Sequence, residues 1–260
     1  MRKILNVLSL FIFWWGFTPC IVNAQSLAPI RLNKHYFEIP AEDSVNHVFN
    51  KIESYTKDSV KLERIFTLNN KINRIIRTST KKEDFQENII EQYDNYGNLL
   101  WKETINLANS KYLRTYFFDG EQIGQVLHTG NRNFVIHRAG DAEPQESFFD
   151  DFLPKNQKVK KGEGVYSGLT ISMEGKEWPE DEQLVYFGIY VDEVGKAESI
   201  EWANPLGTSQ KYALQFLPVL RNWATKFEPA MDPFGNPVGK WIYLHFHIGG
   251  ARRVDRIVFK

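Results

Sequence analysis

Two stretches near the end of the chain, residues 185–191 and 238–248, place apolar side chains at every second position, with Lys240 as the exception. This period of two is typical of strands that bury one face. After the first stretch, Asp192 and Gly195 are turn-forming residues, and residues 198–202 have the composition of a returning strand. The pattern therefore predicts a β-hairpin and, later in the chain, a further strand.

The segment between these strands, residues 209–227, repeats apolar residues at steps of three and four. That period predicts a helix whose apolar stripe packs on the sheet, with Trp223 and Phe227 in the core. Pro218 conflicts with an unbroken helix, because it removes a backbone donor and clashes with the carbonyl four residues earlier. We expect either a kink there or a helix whose best-formed part begins at Leu217. The stripe consists of Tyr212, Phe216, Leu220, Trp223 and Phe227.

The first half of the chain contains three copies of another pattern, in which an aromatic residue precedes a turn-forming pair and an alternating apolar run. The copies begin at Phe66, Tyr93 and Phe117. Each copy places turn residues between two stretches of strand-like composition, so each predicts a β-hairpin. Their similar spacing predicts an antiparallel meander over residues 35–140.

Residues 44–56 show apolar side chains at helical spacing within the start of this region. Ser44 is available to cap the first turn, so we expect one short helix that packs on the sheet. The apolar face of this helix would consist of Val45, Val48, Phe49 and Ile52.

Residues 141–165 are polar and include two prolines and a run of lysines, a composition typical of a linker. The alternative is a short docked helix formed by Phe148, Phe149, Phe152 and Leu153. Together the elements predict an α+β fold with one domain on each side of this linker. The first domain, residues 35–140, is an antiparallel β-meander with a short helix. The second, residues 166–260, consists of a β-hairpin, a helix and a strand.

The order hairpin, helix, strand over about residues 184–248 resembles the TonB C-terminal domain. Its most specific parts are the turn at Asp192 and Gly195, the end of the helix at Pro229, and Pro237 before the last strand. The resemblance implies a module that recruits an extended segment of a partner protein by strand pairing. It also implies an outer-membrane receptor peptide as the partner and a link to outer-membrane transport.

The spacing of aromatic and turn residues in the predicted meander resembles that of the MORN-like repeats of the YwqK antitoxin-like family. This second resemblance rests on the placement of aromatic and turn residues, such as Tyr93 with Gly97 and Phe117 with Gly120. It implies an alternative function, in which an antitoxin-like or scaffold protein acts through its N-terminal β-repeat domain.

Residues 1–24 have the pattern of a signal peptide, with basic residues first, an apolar run at 7–17 and small residues ending at Ala24. We expect cleavage before Gln25 and export, with a periplasmic location. The alternative is an uncleaved membrane anchor, since residues 4–22 are nearly long enough to span a bilayer. Only that alternative would associate the protein with a membrane.

The cysteine content and the balance of charged residues exclude several classes of function. The single cysteine, Cys20, lies in the predicted leader, so the mature chain would have no disulfide, thiol nucleophile or cysteine-bound zinc. The chain has 32 basic and 32 acidic residues, and this balance argues against non-specific binding to nucleic acid. We therefore expect a protein partner in the envelope and no nucleic acid.

Four polar or aromatic residues share one face of the last predicted strand, and we assign them as the peptide-binding residues. Two of them are histidines that could share a metal ion, but no third ligand lies nearby in the sequence. A polar, half-exposed strand face is the commoner explanation, so we predict no metal or cofactor. The four residues are Trp241, Tyr243, His245 and His247.

No serine lies in a G-x-S-x-G elbow, no H-E-x-x-H occurs, and no glycine-rich phosphate loop follows a predicted strand. Clustered carboxylates such as Asp150 and Asp151 fall in the predicted linker, where solvation explains them. We therefore predict that the protein is not an enzyme, with a hydrolase of dispersed catalytic residues as the alternative. Three further rings, Tyr186, Tyr190 and Trp202, either pack between domains or line a groove for the peptide.

Overall fold

The predicted leader, residues 1–24, lies outside the part of the chain that the computed structural model describes. Within the described part, strands account for 48% of the residues and helices for 6%. The prediction of an α+β fold is therefore wrong, and the protein is mostly β. The described residues are 28–160, 169, 171, 175 and 177–250.

The N-terminal part forms one antiparallel sheet of ten strands, in which each strand pairs with the next along the chain. Short turns connect most of these strands, so the sheet is a continuous meander. The strands are β1 (Ile30–Leu32), β2 (Phe49–Tyr55), β3 (Lys61–Thr67), β4 (Ile72–Thr78), β5 (Glu87–Tyr93), β6 (Leu99–Asn106), β7 (Lys111–Phe118), β8 (Glu121–Gly130), β9 (Asn133–His137) and β10 (Gln145–Ser147).

The three hairpins predicted from the repeated pattern are confirmed as β3–β4, β5–β6 and β7–β8. The aromatic residue that begins each copy, Phe66, Tyr93 or Phe117, lies where the pairing register shifts by one residue. Such a shift bends the strands and strengthens their twist. The repeat therefore encodes a bulge at the same place in each hairpin.

The helix predicted at residues 44–56 is wrong, because most of this segment is the strand β2. Seven residues of β2 pair with β3, from Phe49 opposite Thr67 to Tyr55 opposite Lys61. Val45, the first member of the expected apolar stripe, is 91% exposed. A helix here would gain little burial, whereas the strand gains a full ladder of backbone hydrogen bonds.

The C-terminal part is built on a three-stranded antiparallel sheet with the order β13-β12-β17. Its strands are β12 (Gln183–Val191), β13 (Ala197–Trp202) and β17 (Lys240–Ile248). Two shorter pairs surround it: β11 (Lys155–Asn156) with β14 (Phe227–Glu228), and β15 (Ala230–Met231) with β16 (Pro237–Val238).

The single helix predicted at residues 209–227 is replaced by two short helices, α1 (Gln210–Leu214) and α2 (Leu217–Trp223). The prediction that the well-formed part begins at Leu217 is confirmed. Pro218 lies in the first turn of α2, where its missing N–H leaves no helical hydrogen bond unmade. The helical content is therefore too small for the helix-bearing domain that we expected.

The apolar core of the C-terminal part lies between these helices and one face of the three-stranded sheet. Trp223 and Phe227 are 3% and 1% exposed, so their predicted core positions are confirmed, although Phe227 lies in β14. Their neighbours in the core include Phe187, Phe216 and Phe246. The core therefore covers one face of the three-stranded sheet.

The described residues of the predicted linker, residues 141–165, form strands with both parts of the protein. β10 completes the meander by pairing with β9, while β11 pairs with β14 of the C-terminal part. Backbone bonds from Ala139 N to Pro233 O and from Met231 N to Asp151 O add to this junction, at 2.9 Å each. The meander and the C-terminal part are thus packed together along this segment.

Candidate functional site

β17 lies at one edge of the three-stranded sheet. It pairs along its whole length with β12, from Lys240 opposite Val191 to Ile248 opposite Gln183. On its other side, no strand of the described ranges pairs with it. An edge strand of this length presents a row of backbone groups to a further strand.

The hydrogen bonds of Tyr186 identify which residues of β17 direct their backbone outward. The carbonyl of Tyr186 accepts from Ala203 N at 2.8 Å, and its N–H donates to Asn204 Oδ1 at 2.7 Å. Tyr186 therefore directs both backbone groups toward β13. Its partner across the ladder is His245, so His245 directs its N–H and C=O away from β12.

The same alternation holds one pair further along the ladder. The carbonyl of Leu184 accepts from Asn204 Nδ2 at 2.6 Å, on the β13 side, and the residue opposite Leu184 is His247. Every second residue of β17 therefore directs its backbone outward. The outward set is Trp241, Tyr243, His245 and His247, the four residues that the sequence analysis assigned to peptide binding.

Two side chains of this set, Trp241 and Tyr243, meet a loop of the meander, residues 33–37, which we call the clasp. The ring of His35 meets Trp241 edge-on, with centroids 4.6 Å apart, and its Nδ1 lies 3.3 Å from the hydroxyl of Tyr243. Gly188 allows this approach, because a Cβ there would be 3.0 Å from both His35 Cε1 and Trp241 Cε3.

The clasp is held by both backbone and charged contacts. Asn33 Nδ2 donates to Ala203 O at 2.8 Å, while Asn33 Oδ1 accepts from the backbone N–H groups of His35 and Phe37. Glu201 of β13 receives Lys34 Nζ at 2.8 Å and lies 3.0 Å from His35 Nε2. These contacts fix the clasp across the three-stranded sheet.

Burial and hydrogen bonding shift the pKa values of this acid–base pair. Burial raises the pKa of Glu201, but hydrogen bonds from Lys34, Ser199 and His35 outweigh it and bring the pKa to about 2. Burial also lowers the pKa of His35 below its usual value, against the opposing effect of Glu201. The pair therefore favours a neutral imidazole beside an ionised carboxylate at neutral pH.

The four assigned residues differ in how open they are. Trp241 and Tyr243 are half-buried beneath the clasp, and His245 is 5% exposed with its ring 5.0 Å from that of Tyr186. His247 is more open, and its Nδ1 lies 2.6 Å from Glu182 Oε1. In the described part of the chain, no group of three or more possible ligands could hold a metal ion.

A buried polar cluster beside β17 was missed by the sequence analysis. Arg114 forms ion pairs with Glu103 at 2.6 Å and with Asp150 at 3.0 Å, and Tyr112 donates to Asp150 at 2.6 Å. Lys240 of β17 donates to the carbonyl of Phe152 at 2.7 Å. Asp150 was expected in a solvated linker, and only its position among Phe148, Phe149 and Phe152 signalled burial.

No family model, curated protein or solved structure matches the chain. Among the described residues, no helix is long and apolar enough to cross a membrane. The function is therefore inferred from the geometry of the edge and the groups around it.

Proposed function

We propose that this protein is exported to the cell envelope and binds an extended segment of a partner protein by adding it as a strand to β17. The proposal is carried by one observation, the outward direction of the backbone groups of Trp241, Tyr243, His245 and His247. Backbone N–H and C=O groups directed outward in a row along a sheet edge are the recognition surface of β-augmentation. The resemblance to the TonB C-terminal domain stays a prediction, and it favours an outer-membrane receptor as the partner.

The surroundings of β17 favour this mode of binding. Leu244, Phe246 and Ile248 are buried in the core, so the strand is held rigid before any peptide arrives. A rigid edge loses little conformational entropy on binding, which leaves more of the hydrogen-bond energy for affinity. The outward-facing residues would then supply backbone contacts, while the open side chain of His247 contributes to specificity.

A pull-down with two variants of the same residue tests strand pairing. His245→Pro removes one outward N–H, whereas His245→Ala removes the same imidazole and keeps the N–H. Each full-length variant, checked for folding by circular dichroism, is used to capture partners from envelope extract, and the captured proteins are identified by mass spectrometry. We expect one partner to be captured by the wild type and by His245→Ala and lost with His245→Pro.

Equal capture by all three folded proteins would refute pairing at this edge. If capture depended instead on exposed residues of the meander, the antitoxin-like or scaffold function would replace the proposal. The variants Tyr55→Ala and Tyr96→Ala test this second outcome, because both rings belong to the meander and are 70% and 90% exposed.

N-terminal sequencing of the protein from cells tests the proposed location. We expect Gln25 as the first residue of a protein released with the periplasmic fraction. An intact Met1 in a carbonate-resistant membrane fraction would contradict export in soluble form and would make residues 4–22 an anchor.

A further inference from the structure

The side chain of Arg74 in β4 lies between two aromatic rings. It is on the face of the meander that packs against the C-terminal part. Its guanidinium carbon lies 3.6 Å from the centre of the Tyr36 ring and 5.7 Å from that of Trp101. Its Nε donates to Gln92 Oε1 at 2.8 Å. Stacking and one neutral hydrogen bond therefore hold the side chain in place.

No carboxylate among the described residues forms an ion pair with Arg74. The two acids of the buried cluster, Glu103 and Asp150, are both paired with Arg114. No described residue accepts a hydrogen bond from the terminal nitrogens Nη1 and Nη2 of Arg74. Burial lowers the pKa of Arg74, so its charge is held at a cost that a counter-ion would relieve.

The charged side chains of the surrounding cluster also leave an excess of positive charge. Three basic side chains, Arg74, Arg114 and Lys240, share this interior with two acidic ones, Glu103 and Asp150. Buried charges in proteins are normally paired or bind ligands. The basic groups of the cluster therefore outnumber the acidic ones by one, and among the described residues neither Arg74 nor Lys240 forms an ion pair. Lys240 donates to the carbonyl of Phe152, whereas the terminal nitrogens of Arg74 have no such acceptor.

Arg74 lies beside the candidate edge. Its guanidinium stacks on Tyr36 of the clasp, and the preceding clasp residue, His35, places its Nδ1 3.3 Å from the hydroxyl of Tyr243. Tyr243 is one of the residues that direct their backbone outward from β17. A peptide strand paired at Tyr243 would thus run past the guanidinium of Arg74.

We propose that Arg74 binds the side-chain carboxylate of an aspartate or glutamate in the peptide that pairs with β17. This inference rests on the proposed function and names its ligand class, an acidic extended peptide. An arginine offers a planar fork that binds a carboxylate with two parallel hydrogen bonds, and Tyr36 and Trp101 hold that fork in place. The acidic residue supplies the charge that the cluster lacks, while the backbone of β17 binds the rest of the segment.

Selection from a displayed library of random linear peptides tests this proposal. The peptides are displayed with their carboxyl ends fused to the carrier, so an enriched acid must be a side chain and not a chain terminus. The wild type is compared with Arg74→Gln and with Arg77→Gln. Arg77 is the matched control, because it lies on the opposite face of the same strand and pairs with Glu91 at 2.9 Å.

The wild type and Arg77→Gln are expected to enrich peptides with an acidic residue at one fixed position, and Arg74→Gln to lose that preference. A synthetic peptide from the selection and its acid-to-amide counterpart are then titrated by calorimetry. Loss of the carboxylate should weaken binding to the wild type by roughly ten- to a hundredfold, the range of a charged hydrogen bond. It should change binding to Arg74→Gln little, because the partner charge is already absent.

The outcomes separate the two proposals. Enriched peptides that need the N–H of His245 but carry no acidic preference would overturn the role of Arg74 and leave strand pairing intact. An acidic preference that depends on Arg74 but survives His245→Pro would support the carboxylate site and overturn pairing at β17. Absence of any enriched peptide with the folded wild type would overturn both.

Discussion

Tyr186 and His245 face each other across the β12–β17 ladder without exchanging a backbone hydrogen bond. The backbone groups of Tyr186 bond on the β13 side, so those of His245 are directed out from the sheet edge. Leu244, the preceding residue, directs its N–H to β12 and its side chain into the core. A proline at Leu244 would therefore remove a hydrogen bond of the β12–β17 ladder, whereas a proline at His245 would remove an N–H that is directed away from β12.

The first prediction compares proline with alanine at these two positions. Going from Leu244→Ala to Leu244→Pro removes a ladder hydrogen bond and should cost about 1 to 3 kcal/mol of unfolding free energy, because a buried acceptor on β12 loses its donor. Going from His245→Ala to His245→Pro should cost substantially less, because that N–H is directed away from β12 and is not part of the β12–β17 ladder. Chemical denaturation of the full-length proteins measures both differences. Equal penalties would mean that the N–H of His245 forms a ladder hydrogen bond, as that of Leu244 does.

The second prediction concerns the turn at Gly195, where two constraints coincide. The backbone of Gly195 has φ of 84°, and a Cβ there would lie 2.1 Å from the carbonyl oxygen of Phe227. Gly97 has a similar φ of 92° but open space around it, so it serves as the matched control. Gly97→Ala should cost about 1 to 2 kcal/mol, the penalty of a left-handed backbone.

Gly195→Ala should be clearly more destabilising than Gly97→Ala. A side chain at this position must displace β14, whose Phe227 N donates to Gly195 O at 2.8 Å. Denaturant titration of both variants, followed by circular dichroism, gives the comparison. If the two variants lost the same stability, the turn and β14 would not be in contact.

Local patterns in the sequence predicted the hairpins and the core well. The register shifts at Phe66, Tyr93 and Phe117 follow from a repeated motif, and Pro218 fixed the start of α2 at Leu217. The burial of Trp223 follows from the helical spacing of its neighbours. These features depend on residues that are close together in the chain. The local sequence pattern is therefore enough to predict them.

Contacts between distant residues could not be predicted in this way. His35 meets Glu201 and Tyr243 only after the meander packs against the C-terminal sheet. The helix predicted around Phe49 failed for the same reason, since pairing with β3 decides the conformation of β2. Arg74 and Arg77 look alike in sequence, and only the pairing of β4 with its neighbours distinguishes their environments.

The third prediction tests the core beneath α2. Trp223 is 3% exposed and its ring meets that of Phe227 edge-on, with centroids 5.8 Å apart. Trp223→Ala should reduce the unfolding free energy by about 3 to 5 kcal/mol, because it leaves a large cavity. Leu214→Ala in α1 is the control, since Leu214 is 45% exposed and should change stability little. Similar small losses in both variants would place Trp223 at the surface.

The last prediction concerns the pH dependence of stability at Lys240. Burial, helped by the nearby charge of Arg114, lowers the pKa of Lys240 from 10.5 to about 8. Between these values the unfolded chain binds more protons than the folded protein, so Lys240 makes the unfolding free energy rise with pH. Below about pH 8 the side chain is protonated in both states, and its contribution no longer changes.

Comparison with Lys240→Met isolates this effect from that of other titrating groups. The unfolding free energy of the wild type, taken relative to that of Lys240→Met, should increase as the pH rises from about 8 to 10.5. The exposed Lys57 provides the control, because Lys57→Met removes the same charge without a buried environment. Denaturant titrations at several pH values across this window measure both differences. A difference that stays constant with pH for Lys240→Met, or one that rises equally for Lys57→Met, would show that Lys240 is in contact with water and that the cluster around Arg114 is open.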